Sequence, residues 1–215
     1  MKTDDLIQKL SGDLKPVVPM PSPLRMTVFF SSIGLALIGM SFIFMSSRRD
    51  LMAQLSNPKF LFELTTSFVL AVTALVLSTF LSRPGRVTEI QKLQKLTVAF
   101  LIFVFGYDIV RVAQLSQNEI PIGLSLSGIE CFLVVFGYSI MLAAAVLNWL
   151  RRGASVNPKL SGLVIGTASV ALGNVTITFF CGIDNGLHIF LWHFAFPMLA
   201  AVSCSAIASR FLLRW

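Results

Sequence analysis

Charge is scarce in this chain. Asp, Glu, Lys and Arg make up 13% of its 215 residues, roughly half the share found in a soluble domain. There is no Ser–His–Asp arrangement and no H-E-x-x-H motif, so catalysis has no support and the chain is read as a non-enzyme. A C-x-x-C pair is absent, which removes the usual mark of a thiol oxidoreductase. No segment alternates apolar and polar residues in the manner of a transmembrane β-strand, which argues against a barrel. The first apolar block lacks an A-x-A-like cleavage site and is full length, so it is expected to be a retained span and not a signal peptide.

Apolar residues, at 55%, are plentiful, and mean hydropathy is +0.81. They fall into six blocks: Met26 to Ser46, Phe60 to Leu81, Leu96 to Leu115, Leu124 to Leu150, Leu160 to Cys181 and Leu187 to Ala208. Crossing a bilayer core of ~30 Å takes ~20 helical residues, and each block meets that length. The expected fold is therefore all-α, a polytopic membrane protein of six transmembrane helices. A tail over residues 1–24 precedes a membrane domain over 25–215, with no room for a second folded domain.

Net charge is +7, and its distribution sets orientation. With the N-terminus placed in the cytoplasm, the inner segments hold Lys2, Lys9, Lys15, Arg25, Arg83, Arg86, Lys92, Lys95, Arg151, Arg152, Lys159, Arg210 and Arg214. The outer segments hold Arg48, Arg49, Lys59 and Arg111. This is the bias of the positive-inside rule, so both termini are expected in the cytoplasm and no role with nucleic acid is assigned. Arg48–Arg49, partly offset by Asp50, is the exception. The loops are short, as antiparallel neighbours require.

The tail differs from the rest. Thr3 is a fitting N-cap, and Asp4 and Asp5 follow in the first turn, where acids suit the helix dipole. Leu6, Ile7, Leu10 and Leu14 fall within a ~100° arc at helical spacing, and Pro16 ends the helix. So short a helix is marginal alone and is expected to fold on a surface. Asp4, Asp5 and Asp13 on the polar face disfavour anionic lipid, which leaves a protein groove as the expected surface. Pro16, Pro19, Pro21 and Pro23 then form an extended spacer.

Counting ~20 residues from each inner boundary puts Glu63, Glu130, Cys131, Cys181 and His188 in one outer layer. Asp108, Arg111 and His193 lie a turn or two inside it. The third cysteine, Cys204, is near the opposite end of its span. Asp108 and Arg111, at i,i+3, are expected to pair as structural glue. Cys131 and Cys181 allow a disulfide in an oxidising compartment or a thiolate site for a soft metal ion, with Glu130, Asp184, His188 and His193 as further candidate ligands. The simpler alternative is two unrelated apolar cysteines in packed helices. His193 lies about 140° round an ideal helix from His188, which argues against both imidazoles on one ion. In the fifth block, Gly162, Gly166, Ser169 and Gly173 suit close helix packing, and Asn174, Thr176 and Thr178 are expected to hydrogen-bond between helices.

Several motifs occur in a fixed order. The start MKTDDLIQKL precedes the Pro-rich stretch; RRDL spans Arg48 to Leu51, RPG spans Arg83 to Gly85 and WLRRGA spans Trp149 to Ala154. C-G-I-D-N-G-L-H-I-F-L-W-H runs from Cys181 to His193, and the chain ends FLLRW. With the six-span frame, these cover nearly the whole chain, which resembles the bacterial negative-regulator-of-sigma-F family of membrane anti-sigma factors. The resemblance implies a cytoplasmic tail that holds an extracytoplasmic-function sigma factor at the inner membrane. It further implies that Cys131 and Cys181 take part in the response to heavy-metal or oxidative stress. No cofactor is expected beyond a transient heavy-metal ion at the cysteines. A small ion or metal transporter and a membrane thiol-redox protein are the alternatives.

Overall fold

The computed structural model describes residues 3–12, 21–83, 85–153, 155 and 157–213, and among them there is helix and no strand. The elements run α1 (Thr3–Gly12), α2 (Pro23–Phe44), α3 (Leu51–Gln54), α4 (Pro58–Leu81), α5 (Val87–Ala113), a 3-10 turn (Gln117–Glu119), α6 (Ile120–Gly123), α7 (Gly128–Leu150), α8 (Pro158–Thr178), α9 (Gly186–His188), a π-helical segment (Ile189–Ala195) and α10 (Phe196–Leu212). Six are long and apolar enough to cross a membrane: α2, α4, α5, α7, α8 and the continuous run from Gly186 to Leu212.

Three spans begin alike. Ser22–Pro23, Asn57–Pro58 and Asn157–Pro158 each place a capping side chain before a proline in the first turn. The cap accepts from a backbone N–H, as Asn157 Oδ1 does from Leu160 at 3.1 Å. Proline loses nothing there, because that N–H has no helical partner. These helices therefore start ahead of their apolar blocks. α5 does so by the largest margin: residues expected in an inner loop, from Val87 to Lys95, are helical.

α8 is almost wholly buried, packed by α4, α7 and α10. Its small residues permit this. A Cβ on Gly162 would meet Ser205 O at 2.5 Å and Ala206 Cα at 2.8 Å, and one on Gly166 would meet Val202 Cα at 2.6 Å, so both face α10. A Cβ on Gly173 would meet Val135 O at 2.9 Å, so it faces α7. The expected small-residue packing is thus shared between two partners. Asn174 donates to Ser67 of α4 at 2.9 Å, an interhelical bond as expected. Thr176 and Thr178 instead bond back to Leu172 O and Asn174 O of their own helix. The shorter threonine side chain reaches its own preceding turn more readily than a neighbour.

At one end of the bundle Arg83 reaches Met26 Sδ at 3.8 Å and Trp149 packs edge-on against Phe30. The other end carries Arg48, Cys131 and Cys181, and is called the cysteine end below. In α1, Ile7 is 58% exposed. Leu14, Pro16 and Pro19 lie outside the described residues, as do the side chains of Leu6 and Leu10.

Candidate functional site

Four side chains from three segments meet at the cysteine end. Cys131 opens α7 one turn from its start, and Cys181 follows α8 in the turn that closes the bundle. Their sulfurs are 3.6 Å apart and both thiols are free. His188 and His193 come from the start of the last span. His188 Nε2 lies 3.5 Å from Cys181 Sγ, and the two imidazoles sit edge to face with centroids 5.2 Å apart. One ligand atom from each of the four residues lies within 4.8 Å of the others.

The meeting of the histidines corrects the expectation drawn from an ideal helix. Between them the backbone is a π-helix, whose i→i+5 bonding brings residues five apart to one face. The cause lies just downstream. Pro197 has no N–H for the carbonyl four residues earlier, that of His193, so the α-helical ladder cannot run through. Asn185 fixes the start, accepting from Leu187 N at 2.9 Å and His188 N at 3.1 Å while donating to Glu119 O at 2.9 Å. Trp192 donates to Gly123 O at 3.1 Å and lies against Gly128 at the head of α7.

Two of the candidate ligands are elsewhere. Asp184 is taken by Arg48, whose guanidinium grips both carboxylate oxygens at 3.0 and 2.7 Å. That side chain is 2% exposed and also holds Asp50 at 2.7 Å, while its backbone N–H donates to Phe179 O at 3.1 Å. The guanidinium holds the Asp50 carboxyl well below the usual carboxylate range, and the two acids raise Arg48 in turn. Such a fork-to-fork pair fixes geometry as well as charge. Glu130 is exposed and lines a surface cleft, with Met45 and Ser46, that leads to both cysteines.

The expected Asp108–Arg111 pair is not the one that forms. Arg111 pairs across the helices with Glu63 of α4, and donates to Asp184 O at 3.4 Å. Asp108 is buried one turn away and, among the described residues, has no ion pair. The long guanidinium stem reaches a neighbouring helix that the short aspartate cannot. Asp108, Glu63, Asn174, Cys181 and His193 line a partly open cavity of about 30 Å³. Cys204 is exposed and outside this site.

Sequence reasoning missed the Arg48 clamp and the π-helix. Both had a signal: Arg48 broke the charge asymmetry, and Pro197 stood four residues past a candidate ligand.

The arrangement can do two things. Thiols this close can be oxidised to a disulfide, and two thiols with two imidazoles can hold a metal ion.

Comparison with known proteins gives one consistent answer. Residues 10–215 match the family described as "Negative regulator of sigma F". Over 219 aligned residues, covering all of both chains, the protein is 24% identical to a "Probable anti-sigma-F factor NrsF" of Azospira oryzae. No solved structure matches it.

Proposed function

The chain belongs to the negative-regulator-of-sigma-F family, and from that premise we propose a membrane anti-sigma factor that senses heavy-metal or oxidative stress through Cys131 and Cys181. Residues 1–24 bind an extracytoplasmic-function sigma factor in the cytoplasm. Leu6, Ile7, Leu10 and Leu14 fill a groove in it, and the Pro-rich stretch spaces that helix from the bilayer. Residues 25–215 sit in the bacterial inner membrane with the cysteine end toward the periplasm. The charge bias supports this orientation, because the basic excess lies at the end that carries the tail.

One observation carries the sensing step. Two free thiols from different segments stand 3.6 Å apart, with a surface cleft reaching both. An oxidant of the chromate class takes two electrons from the pair, two protons leave, and an S–S bond of about 2.05 Å forms. That draws α7 toward the turn after α8 by ~1.5 Å. A thiophilic cation fixes the same two segments by displacing the thiol protons. Either event favours one packing of α7 against α8 over another, and the sigma factor is released if it binds the disfavoured packing more tightly.

Two experiments test this reading. With Cys131 and Cys181 replaced by Ser, a sigma-dependent reporter should no longer rise on exposure to cadmium or chromate; an unchanged response removes the cysteines from the mechanism. A chain lacking residues 1–14 should fail to retain the sigma factor in a pull-down, and retention would move docking to the loops.

A further inference from the structure

The geometry points to a closed four-ligand site for a thiophilic divalent cation, in which His188 and His193 are ligands equal in standing to Cys131 and Cys181. This deepens, and rests on, the reading of the two cysteines as the sensing residues. The first argument is distance. A tetrahedral ion with sulfur at ~2.3 Å and nitrogen at ~2.0–2.1 Å sets its sulfurs ~3.8 Å apart and each sulfur ~3.6 Å from each nitrogen. The sulfurs here are 3.6 Å apart, and Cys181 Sγ is 3.5 Å from His188 Nε2. All four ligand atoms fall within 4.8 Å, so the widest pair needs to close by ~1 Å.

The second argument is the unmet demand of the histidines. His188 and His193 are 0% and 3% exposed, and His188 Nδ1 and His193 Nε2 are buried with no hydrogen-bond partner among the described residues. Buried polar atoms in folded proteins are nearly always paired. A cation among the four residues gives a nitrogen of His193 a partner and uses the imidazole–thiol approach that His188 Nε2 already makes, leaving His188 Nδ1 outside the site.

The third argument is charge. Two thiols binding M²⁺ release two protons, and two neutral imidazoles add no charge, so the bound site is neutral overall. A neutral complex avoids the cost of an uncompensated ion within the bundle. This favours a divalent ion, and the S₂N₂ donor set favours zinc or cadmium over magnesium or calcium. Approach is through the cleft beside Glu130, where a carboxylate stands at the mouth and the Met45 thioether lines the wall. The cation would join α7, the turn after α8 and the π-helical start of the last span.

Cadmium alone is the probe. Reduced, full-length protein in nanodiscs, kept anaerobic, is titrated with Cd²⁺ and the bound metal counted. One ion per chain is expected. ¹¹³Cd NMR of the unaltered protein should report two sulfur and two nitrogen donors. His188→Ala and His193→Ala should each weaken binding by more than the ~10–100-fold that loss of an outer-shell partner costs. A two-sulfur spectrum without nitrogen, or wild-type affinity in both histidine variants, overturns the four-ligand site. No binding by the reduced wild type overturns it too. All three results leave the cysteine reading intact if the reporter still depends on Cys131 and Cys181. If the reporter ignores Cys131→Ser and Cys181→Ser, the sensing reading itself has failed.

Discussion

At the cysteine end, the segments are tied by charged and polar groups: Arg48 grips Asp50 and Asp184, Arg111 pairs with Glu63, and the thiols meet the imidazoles. At the opposite end, α8 and α10 are joined through Gly162 and Gly166, with apolar contacts such as Phe30 on Trp149. Small-residue packing depends on shape alone, and the Gly162 and Gly166 contacts themselves offer a cation or oxidant no ligand. Polar ties respond to chemistry. On the function proposed above, one end receives the signal while the other keeps the bundle together.

Substitutions at either end separate the two kinds of tie. The largest effect is expected from Asp50→Asn with Asp184→Asn. It leaves the Arg48 guanidinium, 2% exposed, without an anion, and a buried charge left unpaired is costly. Arg48→Met should cost less, because Asp50 and Asp184 are half exposed and return to water. Thermal denaturation in detergent ranks the two; equal losses would mean that the clamp is an exposed pair. Next comes Gly162→Val at the other end, where a side chain must push backbone atoms of α10 away. About 1–3 kcal/mol of destabilisation is expected, with cadmium stoichiometry at the cysteine end unchanged. Loss of the cation site in that variant would show that the ends are not separable. The smallest effect is expected from Asn174→Leu, which removes the bond to Ser67 beside the cysteine-end cavity at a cost of about 1 kcal/mol.

The six spans were legible in the sequence because each is a long uninterrupted apolar block, and lipid imposes that length. The same counting put Cys131 and Cys181 in one outer layer, and the structure sets their sulfurs 3.6 Å apart. What was not legible has specific causes. The start of α5 is polar, so hydropathy missed a helix that extends past the membrane-length block. Arg48 finds Asp184 across 136 residues, and no local pattern encodes such a contact. Arg111 was assigned to Asp108 by helix spacing, but Glu63 on the next helix was the better reach. The histidine pair was misjudged because an α-helical period was applied to a segment that Pro197 forces out of it.

On the proposed function, chemistry at the cysteine end controls sigma-factor binding at the tail. This control is tested most directly by measuring the affinity of the sigma factor for the full-length protein in nanodiscs, with and without Cd²⁺. Weaker binding with Cd²⁺ for the wild type, and no change for the variant carrying Cys131→Ser and Cys181→Ser, is the predicted result. Equal affinity for the wild type in both conditions would contradict it.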